Sequence, residues 1–444
     1  MVRPLIDVPA DSSALAAALV AALDGSGPAV RPVPRGAVAG PGTGVPSDEP
    51  AATSARSTQQ APPPAAPTGQ VAPARPVATP RSTEPLGSPH VPSSVAVVLR
   101  TSGSTGDPRD VLLSAAALRA SAEATQRRLG GPGDWLLVLP PDHVAGLQVV
   151  LRALAAGTSL HRGPAGPFRP RGFAAAAAAM GDGRRRYTSL VPTQLARLLD
   201  DGRATDALRG FDAVLLGGAA TPAPLLARAH AAGVRLVTTY GMTETCGGCV
   251  YDGVPLDGIR VAIEAAGGTP GGGPAGGPGG GPDAATGTGR VLLAGPVLAE
   301  GYLGRPDLDA TAFVTDGGAR WLRTNDLGTL GPDGRLAVLG RVDDVIVTGG
   351  VNVAPAPVEE LLHTLPGVRE ACVVGVPDDE WGQAVVAVLV VGPDGPPALA
   401  RVRELVTAHL GAAAAPRRVV VVPALPTRGP GKPDRRAAAA LAAG

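Results

Sequence analysis

Lysine is almost missing from this chain of 444 residues, because 38 of its 39 Lys and Arg side chains are arginine and only Lys432 is lysine. Arginine and lysine are not equivalent where a compact charge must reach one oxygen, so the single ammonium marks a candidate site. Cysteine is also scarce. Three cysteines cannot build a disulfide framework, and the chain reads as reduced and cytoplasmic. Neither charge dominates: 39 basic against 38 acidic residues leave a net charge of +1, and no segment gathers a basic stripe, which argues against a nucleic-acid partner. Long apolar runs are lacking as well. The stretch Ala14 to Leu23 is too short to span a bilayer, and Asp7 and Asp11 precede it where a signal peptide carries positive charge. Leu15, Leu19 and Leu23 behind Asp11 or Ser12 as N-cap suit a packed amphipathic helix instead. No integral membrane segment is expected.

What the chain has in excess is glycine (62) and proline (48), and both are concentrated. A Pro, Ala, Ser and Thr-rich tract from about 40 to 92 cannot bury enough apolar surface to order itself, and a Gly and Pro-rich stretch from about 267 to 289 reads as a loop between strands. Between them, short apolar runs alternate with Ala and Leu-rich helical stretches: Val95 to Leu99 before Ala115 to Leu129, Trp135 to Leu139 before Val144 to Ala155, Tyr187 to Val191 before Gln194 to Leu199, and Ala213 to Leu216 before Ala223 to Ala231. This pattern predicts an α/β fold with mainly parallel sheets and helices on both faces. From about Arg290 the pattern turns to short strands, and the last hundred residues alternate again. The expected organisation is a large α/β domain over 1–340 and a small mobile α+β domain over 341–444, joined by a hinge.

The sharpest local signal is TSGSTGDPR, with Thr101, Ser102, Gly103, Ser104, Thr105, Gly106 and Arg109, placed between the strand at Val95 and a helix. Hydroxyls and glycines at this density can surround polyphosphate oxygens, although the loop lacks the Gly-Lys-Ser/Thr ending of a Walker motif. LLGGAA carries Gly217, Gly218 and Ala219, and YGMTET carries Tyr240, Gly241, Met242, Thr243 and Glu244. Each follows an apolar strand, where a parallel sheet presents its ligand-binding edge; the glycines can lie against a flat base and Tyr240 can stack on it. In WLRTNDLG, Asp326 stands at a loop edge where it can accept both ribose hydroxyls. CGGC at Cys246 to Cys249 has half-site spacing, but no second pair accompanies it, so metal or redox chemistry is not assigned there.

These motifs, in this order, resemble the adenylate-forming superfamily of acyl-CoA synthetases, peptide-synthetase adenylation domains and luciferases. The resemblance implies that Thr243 contacts the α-phosphate, that Glu244 holds Mg²⁺, that Arg341 contacts ribose or phosphate, and that Asp343 is the hinge pivot. It further implies that the loop from Gly349 and Gly350 to Val353 lines a pantetheine tunnel and that Lys432, in PTRGPGKPDRR, bridges the acyl carboxylate and the α-phosphate. Two positions depart from the family: Arg109 stands for its loop lysine and Asn325 for its glycine. Within the superfamily the chain is most similar to the o-succinylbenzoate-CoA ligases of menaquinone synthesis in their actinobacterial form. The implied reaction joins a small-molecule carboxylic acid to coenzyme A at the expense of ATP, with Mg²⁺. An aromatic dicarboxylate requires a polar partner on the far wall of its pocket; the candidates are His143 with Gln148, or Thr193 with Gln194, and Arg152 ranks lower because it can point to solvent. Two alternatives stay open, a ligase that loads another acid or a carrier protein and an interaction protein built on the Pro-rich tract. A homodimer is left open too.

Overall fold

The computed structural model describes residues 1–11, 13–34, 89–101, 108–265, 287–428 and 432–443, with backbone alone for Arg428 and Lys432. Most of the Pro-rich tract, most of the Gly-rich stretch and Ser102, Gly103, Ser104, Thr105 and Gly106 lie outside the described residues.

The fold is α/β. Its most parallel sheet has seven strands, and four of its pairings are parallel, linking Leu160–Arg162, Gly133–Leu137, Arg185–Leu190, Ala213–Leu216 and Leu236–Met242 in that spatial order. The helices Val144–Ala156, Pro192–Leu199 and Ala223–Ala231 connect these strands. Strand and helix therefore alternate where the sequence predicts it, and Ala213–Leu216 and Ala223–Ala231 fall within the expected bounds.

A second sheet of six strands is mixed. Val2–Pro9 pairs parallel to Ala29–Val33 and antiparallel to His90–Pro92, so the last residues of the Pro-rich tract belong to a strand and not to the tract. Val95–Thr101 pairs antiparallel with Arg109–Ser114, and the helix Ala115–Arg128 begins only after it, capped by Ser114, whose Oγ accepts from Ala117 N at 3.2 Å. The phosphate-loop candidate thus connects two antiparallel strands, which corrects the expected strand-to-helix position. A five-stranded antiparallel sheet follows, containing Arg260–Ala265, Gly289–Ala294, Phe313–Asp316, Ala319–Leu330 and Leu336–Arg341. The GPDGR segment turns between its last two strands, with Gly331 N donating to Arg335 O at 2.8 Å.

One large apolar cluster runs from Val8 through Trp135 and Tyr251 to Leu336 and joins the sheets to the helices Ala14–Asp24, Ala115–Arg128 and Val144–Ala156. Two further clusters draw all their buried members from 346–442, around the strands Val368–Asp378 and Gly382–Val391 and the helices Pro355–Leu362, Leu399–Leu410 and Arg435–Ala443. Among the described residues no helix is long and apolar enough to cross a membrane.

Candidate active site

The strand Leu236–Met242 ends in a single 3₁₀ turn, Thr243–Thr245, that carries two of the candidate residues. Thr245 holds the turn from inside: its Oγ1 accepts from Met242 N at 2.9 Å and lies 2.7 Å from Gly247 O, to which it donates. Thr243 and Glu244 remain partly exposed on this fixed turn. The Glu244 carboxylate accepts a hydrogen bond from the Tyr302 hydroxyl at 2.9 Å through Oε1. The Arg109 guanidinium stands 5.8 Å from the centre of the Tyr302 ring, so the cation at the end of the phosphate-loop candidate and the carboxylate share one phenol between them. Burial and the neighbouring Glu244 both push the Tyr302 hydroxyl far above its ordinary pKa, which keeps it a proton donor to the carboxylate. Tyr302 is not singled out by sequence reasoning; it lies in a two-residue strand, Gly301–Tyr302, that presents no periodic signal.

At the neighbouring strand ends a second group forms. Tyr240 donates its hydroxyl to Oδ2 of Asp326 at 2.7 Å, so the ring expected to stack on a base is fixed by its edge. Asp326 sits within the strand Ala319–Leu330, at a register position opposite Arg341 and beside an irregularity between Leu327 and Gly328, rather than at the expected loop edge. Arg341 Nε is buried without a hydrogen-bond partner and lies 3.8 Å from Asp326 Oδ1. Gly217 follows Ala213–Leu216 where a Cβ would meet Thr239 Oγ1 at 2.3 Å, and Gly218 has φ +85°, so both positions need glycine for local reasons.

The candidates for the acyl end separate sharply. His143 and Thr193 are exposed, each at the start of its helix. Gln194 is committed to its own surroundings: its Oε1 accepts from Val191 N and its Nε2 donates to Val138 O, both at 3.2 Å. Gln148 is fully buried, and its Nε2 donates to Cys246 O at 2.7 Å, directly behind the Thr243–Thr245 turn, while its Oε1 has no partner. One helical turn on, Arg152 is 3 % exposed and does not point to solvent, which corrects the lower rank given to it. Its Nη2 donates to the Tyr251 hydroxyl at 3.1 Å, its guanidinium stands 5.2 Å from the Trp135 ring centre, and its Nε has no partner. No carboxylate pairs with it among the described residues, and burial pushes its pKa down.

Cys246 and Cys249 are fully buried free thiols, and burial pushes Cys249 up to about 12. Gly349 and Gly350 form a two-residue hairpin turn, both with positive φ, between Ile346–Thr348 and Val351–Val353. That turn lies against Trp381, whose carbonyl accepts from Gly349 N at 2.9 Å. Lys432 pairs with Arg428 in a short antiparallel ladder that runs into the helix Arg435–Ala443. Arg435 anchors that junction with Nε on Asp344 Oδ2 at 3.0 Å, Nη2 on Glu359 Oε2 at 2.9 Å and Nη1 on Val373 O at 2.9 Å.

A carboxylate, a cation and glycine-lined strand ends gathered at the edge of an α/β sheet define a class of nucleotide-handling folds. The chain belongs to the AMP-binding enzyme family, whose model matches residues 5–303, while the AMP-binding enzyme C-terminal domain matches residues 357–432. It is 47% identical over 352 residues to a probable 2-succinylbenzoate–CoA ligase of Mycobacterium tuberculosis, covering 78% of this chain and 84% of that one. Among solved structures it resembles an amide bond synthetase from Marinactinospora thermotolerans, with a TM-score of 0.68 and 29% identity over 83% of this chain and 72% of that one. It also resembles an o-succinylbenzoate CoA synthetase from Bacillus subtilis in complex with its acyl-adenylate intermediate, with a TM-score of 0.64 and 28% identity over 77% and 68%.

Proposed function

We propose that the chain is an AMP-forming acid–CoA ligase that converts o-succinylbenzoate to its CoA thioester, through an acyl-adenylate, in the cytoplasm. The observation that carries the choice of acid is Arg152. A guanidinium buried beside Gln148, with no carboxylate partner among the described residues and unspent polar atoms on both side chains, is costly by itself. A second carboxylate on the substrate would supply the missing partner.

In the first step a carboxylate oxygen of the acid attacks the α-phosphorus of ATP, the bond to the bridging oxygen breaks, and pyrophosphate leaves. Arg109 and Thr243 would hold the phosphates, and Lys432 would neutralise the meeting of two anions. Glu244 fits a Mg²⁺ that arrives with ATP, since one oxygen is oriented by Tyr302 and such an ion needs only one or two protein carboxylates besides phosphate oxygens and water. When bound, the ion would supply charge neutralisation at the phosphates. Gly217, Gly218, Ala219 and Tyr240 would flank the base, and Asp326 with Arg341 the ribose.

In the second step the CoA thiol loses its proton to water, its sulfur attacks the acyl carbon, and AMP leaves with the electron pair of the broken anhydride bond. Lys432 and CoA compete for the same side of the acyl group, so we assign residues 341–444 as a mobile small domain that turns at Asp343 and brings in the Gly349 and Gly350 turn. A panel of acids with MgATP and CoA, read by mass spectrometry, tests the reading. o-Succinylbenzoate is expected to react best, with benzoate and medium-chain fatty acids at least about tenfold less well in kcat/KM. A faster unsubstituted aryl or fatty acid would leave the ligase class standing and remove this acid.

A further inference from the structure

Asn325 lies in the strand Ala319–Leu330, one residue before Asp326, and its amide is engaged at both ends. Oδ1 accepts from Nη1 of Arg290 at 2.9 Å, and Nδ2 donates to Oδ2 of Asp343 at 3.2 Å. A cation on one side and a carboxylate on the other admit one orientation of the amide. The Arg290 end is fixed to the sheet: the same Nη1 donates to Thr324 O at 2.8 Å, and Nε lies 3.6 Å from Glu264 Oε2. The Asp343 end is fixed less firmly. It sits in the single turn Val342–Asp344 that leaves the sheet, its carboxylate is half exposed, and its other close charge is Arg341 Nη2 at 4.0 Å.

We propose that Asn325 is a positioning residue for the two-step reaction, acting through Asp343: it ties the turn that leaves the antiparallel sheet to the sheet itself and so sets the balance between the two orientations of residues 345–444. The inference rests on the hinge reading given above. A rotation of the backbone at Asp343 carries its carboxylate away from Asn325, and that hydrogen bond must break. One hydrogen bond to a partly exposed charge biases an equilibrium by roughly three- to tenfold, enough to shift a hinge and too little to lock it. An amide suits the position because a carboxylate there would repel Asp343, and an apolar side chain would leave the Asp343 carboxylate without its tie to the sheet.

The test compares the full chain with Asn325→Ala, Asn325→Asp and the exchange Asn325→Asp with Asp343→Asn. Two rates are measured for each: ATP–pyrophosphate exchange for the first step, and thioester formation from pre-made acyl-adenylate and CoA for the second. The ratio of the two rates is expected to shift about three- to tenfold in Asn325→Ala. It should shift further in the same direction in Asn325→Asp, with the extra shift shrinking as salt screens the two carboxylates. The exchange variant restores one amide facing one carboxylate and is expected to return the ratio to within about twofold of the parent. An unmoved ratio, opposite shifts in the Ala and Asp variants, or a parallel fall of both rates with the melting temperature would overturn the proposal. Asn325→Ala alone decides it if the charged variants fold poorly. A parent chain that forms no acyl-adenylate from any acid would instead overturn the reading on which it rests.

Discussion

The hydroxyl of Tyr302 donates to Glu244 Oε1 at 2.9 Å, with the Arg109 guanidinium 5.8 Å from the centre of the same ring. Tyr302 therefore fixes a carboxylate that would otherwise choose among several rotamers. Removing the hydroxyl and keeping the ring isolates this effect. Tyr302→Phe is expected to preserve folding and to raise the Mg²⁺ concentration needed for half-maximal pyrophosphate exchange by about tenfold, the value of one hydrogen bond to a charged group of about 1.5 kcal/mol. An unchanged Mg²⁺ dependence would mean that Glu244 needs no such support.

Lys432 is the one lysine in the chain, and its short ladder runs into a helix anchored by Arg435 on Asp344 and Glu359. Lys432→Ala is expected to lower adenylation by at least about 100-fold and to spare thioester formation from pre-made acyl-adenylate. Lys432→Arg should impair the first step too, because a broad guanidinium does not reproduce one ammonium between two oxygens. Equal losses in both half-reactions would count against a lysine that leaves the site.

Much of this site is legible in the sequence, and the parts that are not have physical reasons. Ala213–Leu216 is short, apolar and fully buried, so both its existence and its bounds are readable. Arg109–Ser114 is not readable as a strand, because its apolar residues run straight into the Ala-rich helix that follows and no turn signal separates them. Arg152 is obscured by the opposite circumstance. Every residue from Gly146 to Ala153 is buried, so the helix Val144–Ala156 offers no polar face from which an inward arginine could be told from an outward one. Tyr302 and the Asn325 contacts depend on pairings between segments tens of residues apart, which no local period encodes.

Asp110 closes the base of the hairpin that carries the phosphate-loop candidate. It accepts from Arg100 Nε at 2.8 Å and Nη2 at 3.0 Å and from Arg31 Nη1 at 3.4 Å. Burial by itself pushes this carboxyl up, but the two arginines outweigh it and hold its pKa below the ordinary aspartate value. A depressed folded-state pKa contributes stability that is complete above the unfolded value of about 3.9 and is lost as pH falls through the folded value. Asp110→Asn is expected to cost about 1 kcal/mol near neutral pH, a modest figure because Arg100 is 62% exposed. The difference from the parent should begin to shrink as pH falls below about 4 and close once pH is below the folded-state value, as read in urea titrations. A gap that does not shrink at all as pH falls below about 4 would assign the loss to shape and not to charge.

The strands Ala29–Val33 and His90–Pro92 flank the same strand, Val2–Pro9, on its two sides. Deleting Thr43 to Ser88 leaves nine residues between Val33 and Pro89, enough to span about 30 Å, whereas the partners Pro9 and Pro4 are about 17 Å apart along that strand. The shortened chain is expected to keep its melting temperature within a few degrees and its kcat/KM within about twofold, since the removed composition cannot build a core. Loss of folded enzyme would give the tract a structural role.

Arg152 offers the most discriminating test of the acid, because its two possible roles move stability and activity in different directions. If the guanidinium serves the fold, its removal leaves the Tyr251 hydroxyl with Thr125 Oγ1 as its remaining partner and opens a gap against Trp135, and the protein loses stability. If it is kept buried and without a carboxylate partner for the sake of the substrate, its removal relieves a desolvation cost, and an apolar side chain of similar length should be neutral or stabilising. Arg152→Met is therefore expected to hold or raise the melting temperature while kcat/KM for o-succinylbenzoate falls about 100-fold, or roughly 2.7 kcal/mol, within the range for truncating one member of a buried charge pair. Benzoate, which brings no second carboxylate, should change by less than about threefold in the same variant. Gln148→Leu should show the same selectivity with a smaller loss of about tenfold, since a neutral amide contributes less than a cation and its Oε1 has no partner to strand. A variant in which both acids lose rate equally and the melting temperature drops would make Arg152 a structural residue and leave the second carboxylate without a partner on this wall.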